Sequence, residues 1–216
     1  MSLSIFTSAL VGALIFGAAG ACGVLAGGAI VPRLERLEDG PPPVNVRPGY
    51  LIAGAALLGA YLGYVRVPFA DFAVAALTAI ALTAIWYCDA LTGLVPDIFT
   101  LIPLGLAIAY GLVRHDYAVP ISALALFAPF AVSAAISKGR GMGWGDAKLA
   151  ALGGAVLALY IHVPLGGVYA SILVFSVASL SAAVAGLIRR RGTKAPIAFA
   201  PYMTAGIAVA FAIWAP

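Results

Sequence analysis

The sequence predicts an all-α, polytopic membrane protein of about eight transmembrane helices, and three observations carry that prediction. Of its 216 residues, 63% are hydrophobic and only 9% charged, where soluble domains carry about 25% charged residues. Mean hydropathy is +1.09. Apolar runs close to the roughly 17–25 residues needed to span a bilayer follow one another along the chain, separated by short stretches that hold most of the basic residues and prolines.

The runs are expected at residues 3–31, 50–65, 69–88, 97–113, 118–137, 146–161, 165–188 and 196–214. The first has no basic residue before Arg33 and is too long for the apolar part of a cleaved signal peptide, so it is read as a span. The second is short and interrupted by Gly54, Gly59 and Gly63, and only Arg66 and Pro68 divide it from the third. Basic residues settle the count. With eight spans, Arg33, Arg36 and Arg47 fall in loop 1, Lys138, Arg140 and Lys148 at loop 5, and Arg189, Arg190, Arg191 and Lys194 in loop 7. The even-numbered loops hold only Arg66 and Arg114. Such a bias puts the odd loops in the cytoplasm and both termini outside, across an inner membrane. No long linker divides the chain, so residues 1–216 form a single domain. The net charge of +4 makes no continuous basic face, and nucleic acid is not expected as a partner.

Two carboxylates at the edges of apolar runs are the candidate chemistry. Asp89 follows AVAALTAIALTAIWYC, and Asp146 lies in GMGWGDAKLAALGG. A carboxylate at membrane depth costs roughly 2.5–3.5 kcal/mol, so one that persists there has a function by default. A helix C-terminus disfavours a carboxylate, which argues against a capping role for Asp89. Asp146 has a plainer alternative as an N-cap in a flexible glycine turn formed by Gly141, Gly143 and Gly145. Asp97, just after Pro96, fits helix capping or local support, and Lys148 lies near enough to bias the potential around Asp146. If the two carboxylates meet, one holds a proton while the other acts as base, which is the arrangement that activates water against a peptide carbonyl.

No other catalytic grouping competes. Cys22 and Cys88 lie in different apolar runs and suit packing, with Cys88 a bystander beside Asp89. His115 and His162 fall in outer loops without a second ligand nearby, so no metal site is expected, and no serine or cysteine shares a membrane face with a histidine.

GMGWGDAKL resembles the GxGD motif of intramembrane aspartic proteases through Gly143, Gly145 and Asp146. With Lys148-Leu149, the YCDALTGLVPD stretch ending in Pro96-Asp97, and the late PIAFAPY, the chain resembles the prepilin peptidase branch over residues 50–214. The resemblance implies Asp89 and Asp146 as the catalytic pair, with Gly143, Gly145, Lys148, Asp97 and Pro96 supporting them. Pro196, Phe199 and Pro201 would shape a substrate groove, where the plainer reading is a kinked helix start. It implies cleavage of the leader of type IV prepilins or pseudopilins at the cytoplasmic face of the bilayer, after a glycine and without a cofactor. Longer relatives carry a four-cysteine zinc insertion after the first span and methylate the new N-terminus with S-adenosylmethionine. Loop 1 here has no cysteine and only Pro32-Arg33-Leu34 as an echo of their motif, so methylation is not assigned. Competing readings are a proton- or solute-coupled transporter using the same carboxylates, and a presenilin-type protease, to which Tyr87 gives a faint likeness.

Overall fold

The computed structural model describes residues 3–34, 46–65, 67–137, 143–161, 166–188 and 199–214. Arg36, Arg66, Lys138, Arg140, Gly141, His162, Arg189, Arg190, Arg191, Lys194 and Pro196 lie outside the described residues. Within them the chain forms eight α-helices and no strand. These are α1 (Leu3–Ile30), α2 (Pro48–Tyr64), α3 (Phe69–Thr92), α4 (Asp97–Val113), α5 (Ala118–Ser137), α6 (Trp144–Tyr160), α7 (Gly166–Ile188) and α8 (Ala200–Trp214).

Two helix ends beside the carboxylates differ from the expectation. Helix α3 runs past Asp89 to Thr92 and stops at Gly93, whose φ of 73° is left-handed and open to glycine without a Cβ penalty. Asp89 therefore lies one turn inside the helix rather than at its close. Helix α6 begins two residues earlier than expected, with Gly143 as its N-cap. The described part of the last span starts at Phe199, and the helix at Ala200.

By length and composition, the segments Ile5–Arg33, Phe69–Thr92 and Ala118–Ile136 suffice to cross a membrane, while Asp97–Val113, Gly166–Ala182 and Ala200–Ala210 are shorter apolar helices. A 17-residue helix such as α2, α4 or α6 rises about 25 Å against a hydrocarbon core of about 30 Å. The outer surface suits lipid, since Leu14, Leu57, Leu124, Ile136 and Leu180 are all exposed. The protein is an all-α membrane protein.

Helix α6 is the hub. Nearly every residue from Ala147 to Tyr160 is buried, because α4, α5, α7 and α8 surround it and α3 touches it sparsely. Small residues permit this crowding: a Cβ on Gly154 would meet the Ser122 backbone oxygen of α5 at 2.7 Å. Helix α1 packs on α2 and α3 in the same manner, with Gly12 against the backbone of Gly59 and Gly23 against Ile80 and Thr83.

Candidate active site

The C-terminal end of α3 and the N-terminal ends of α4, α6 and α8 supply the candidate groups. Helix α3 ends in a tight turn: the Gly93 N–H donates to the Asp89 backbone oxygen at 2.9 Å. The Thr92 hydroxyl donates to the Cys88 oxygen at 2.8 Å and accepts from the Leu94 N–H at 3.2 Å. Pro96 then caps α4 in an extended conformation, pre-set for a helix start. This short link carries Val95 to the beginning of α6.

There the two motif glycines do different work. A Cβ on Gly145 would meet the Val95 Cβ at 2.7 Å, so close approach of the α3–α4 link requires a glycine. Gly143 has φ −81° and room for a Cβ, its nearest neighbour being Asp146 Oδ2 at 3.6 Å. Neither adopts a glycine-only conformation. Gly143 instead donates its N–H to Asp146 Oδ2 at 3.2 Å, so Asp146 is not the N-cap. It is the third helical residue reaching back to the N-cap amide, as the acidic member of a capping box does.

Asp89 is 4% exposed, and its Oδ2 is buried without a hydrogen-bond partner among the described residues. The charge of Asp146 acts on it, and the backbone N–H of Ala200 at the start of α8 faces its carboxyl. The two sequence-predicted carboxylates are thus brought within electrostatic reach at one end of the bundle. A buried carboxyl oxygen without a donor is costly to keep, and what such an oxygen can do is hold a proton or grip a polar group delivered to it.

Asp97 is the first residue of α4, just after the N-cap Pro96. It pairs with Lys148 Nζ at 2.5 Å, joining the start of α4 to α6. Lys148 is therefore turned to Asp97 rather than to Asp146. Of the groove residues, Phe199 is half-buried against the core and Pro201 lies in the first turn of α8. Cys88 is buried, with Sγ 3.8 Å from the Gly27 oxygen of α1, as its packing role requires. His115 is exposed at the opposite end, in a left-handed turn (φ 57°). Among the described residues no three of His, Cys, Asp and Glu gather as a metal site would need.

The sequence model of the type IV leader peptidase family matches residues 76–187, just over half of the chain and including Asp89, Asp97 and Asp146. The chain belongs to the type IV leader peptidase family. No curated protein and no solved structure matches it. Membership makes the protein a membrane peptidase with a prepilin-type substrate in general. Two neighbours of the leader peptidase's carboxylates escaped the sequence reading. Val95 is an ordinary apolar residue whose only sign is its place between two motifs. Ala200 contributes a backbone N–H, and its sole sequence signal is Pro201, a residue favoured in the first turn of a helix.

Proposed function

We propose that this leader peptidase is an aspartic endopeptidase in which Asp89 and Asp146 share the acid and base work. The observation that carries the reading is the buried, unpartnered Oδ2 of Asp89 beside a second carboxylate. The ionised member takes a proton from water, and the resulting hydroxide adds to the peptide carbonyl carbon. The protonated member gives its proton to the carbonyl oxygen. As the tetrahedral intermediate collapses, its C–N bond breaks and the proton gained from water passes to the leaving nitrogen. The other carboxylate recovers its own proton from the hydroxyl, which returns the pair to its starting state.

Gly143, Gly145, Asp97, Pro96 and Lys148 act by position in this scheme, and Phe199 and Pro201 border the approach along α8. The bilayer anchors the apolar helix of the substrate, and its leader reaches the carboxylates at the cytoplasmic face, where cleavage follows a glycine. The scheme uses no metal and no S-adenosylmethionine. Coupled transport, the competing use of these carboxylates, has no support from a family of peptidases.

The test is cleavage of a prepilin-like substrate in liposomes. Asp89→Asn and Asp146→Asn should each lower turnover by at least about 10³-fold, because removing one member of a catalytic unit costs nearly as much as removing all. Wild-type turnover should fall at both ends of its pH range: in acid both carboxyls are neutral and no base remains, and in alkali both are charged and no acid remains. Residual cleavage of several per cent in either variant, or a flat pH profile, removes that residue from the pair.

A further inference from the structure

Three of the helices that converge on the carboxylates are tied to one another again at their far ends. Asp71, in the first turn of α3, accepts hydrogen bonds at Oδ1 from Arg114 Nη1 (2.7 Å) and from the Tyr110 hydroxyl (2.9 Å), both at the end of α4. The Arg114 guanidinium also stands 5.4 Å from the centre of the Tyr110 ring. Tyr160, the last residue of α6, donates its hydroxyl to the Asp71 backbone oxygen at 2.5 Å. Helices α3, α4 and α6 carry Asp89, Asp97 and Asp146 at their other ends.

The plainer account is an interfacial belt, in which tyrosine and arginine anchor helices at the headgroup level. Burial argues for more. The Asp71 side chain is 14% exposed and Tyr160 only 6%, so both turn inward to one another rather than to lipid or water. The cluster also does something packing does not, for α3 and α6 make little contact along their length. The Tyr160–Asp71 bond is a direct link between the two helices that bear the proposed pair. Asp71 and Asp89 are eighteen residues apart on α3, about 27 Å along the axis. Over that span a tilt of about 2° displaces the far end by about 1 Å, and a misplacement of that size can cost about 10²-fold in rate.

We infer that Asp71, Tyr110, Arg114 and Tyr160 are positioning residues of the peptidase, forming a far-end latch that sets the separation of Asp89 and Asp146. The inference rests on those two carboxylates being the reacting pair. Its test measures kcat, KM and the unfolding midpoint of the full-length protein in detergent for Tyr160→Phe, Tyr110→Phe, Asp71→Asn and Arg114→Lys, with Asp89→Asn alongside. Tyr160→Phe and Asp71→Asn should lower kcat about tenfold with KM held within about twofold, in protein fully folded at the assay temperature. Arg114→Lys, which keeps the cation, should retain kcat within about threefold of wild type. The tyrosine variants keep their rings and hence their packing, so they decide the matter if Asp71→Asn does not fold. An unchanged kcat in Tyr160→Phe and Tyr110→Phe while Asp89→Asn is inactive overturns the latch alone, as does a loss that merely tracks unfolded protein. An active Asp89→Asn overturns the carboxylate pair first, and the latch with it.

Discussion

Gly145 is the residue at which sequence motif and geometry meet most sharply. Its missing side chain lets Val95, one link beyond the end of α3, rest on the first turn of α6. Alanine there would gain about 1 kcal/mol of helix propensity but must displace a Cβ 2.7 Å away, and overpacking of that kind costs about 1–3 kcal/mol. The displacement moves the Asp89 side of the site against the Asp146 side, so Gly145→Ala should lower cleavage at least about tenfold. Gly143→Ala meets only ordinary contacts and should stay within about threefold of wild type, its amide still available to Asp146. Parallel cleavage assays of the two variants check this; equal losses would mean the motif acts through backbone flexibility instead. At this scale the acidic residues were legible, because an ionisable group in an apolar run is conspicuous. The Ala200 amide, the Val95 contact and the Asp71 cluster were not. A backbone donor has no signature, and Asp71, Tyr110, Arg114 and Tyr160 come together only when three helices are placed side by side.

Helices were far more legible than their ends. All eight apolar runs form helices, and the span least marked in sequence, α2, is continuous from Pro48 to Tyr64 despite its glycines. Two of those glycines are accounted for by α1, since Gly59 and Gly63 lie directly against Gly12 and Ser8, while a Cβ on Gly54 would meet only open space. The boundary at Asp89 misled because charge was read as a terminator, whereas the stop is the left-handed Gly93 one turn later. For Asp97 the sequence left two readings, helix capping and local support. Its position after Pro96 suits either, and its side chain reaches from α4 to Lys148 on α6, as a local support would. That pair joins two helix starts beside the site, but Asp97 is 60% exposed, and exposed pairs contribute only about 0–1 kcal/mol. Asp97→Asn should accordingly reduce cleavage by no more than about fivefold and leave the unfolding midpoint within a degree or two. Assay and melt together test this, and complete loss of cleavage would promote Asp97 to a chemical role.

At the scale of the whole molecule, the two ends of the bundle differ in chemistry, and that difference makes orientation testable. One end carries Asp89, Asp97, Asp146 and Lys148; the other carries Asp71, Tyr110, Arg114 and Tyr160. In sequence, ten of the twelve basic residues fall in or beside the odd-numbered loops. Of the two in even-numbered loops, Arg114 is already committed to Asp71. Basic loops resist translocation, so the carboxylate end should face the cytoplasm. In that orientation short helices α4 and α6 would hold Asp97 and Asp146 near the cytoplasmic boundary, where an aqueous leader and a bilayer-anchored helix could both be reached. Thiol labelling of intact cells tests this without requiring activity. With Cys22→Ser and Cys88→Ser removing the native thiols, a cysteine replacing exposed Tyr117, between α4 and α5, should react with a membrane-impermeant maleimide added outside. A cysteine replacing exposed Ile98, at the start of α4, should react only after the cells are permeabilised. The reverse pattern would put the carboxylates on the far side of the membrane and remove a cytoplasmic leader from their reach.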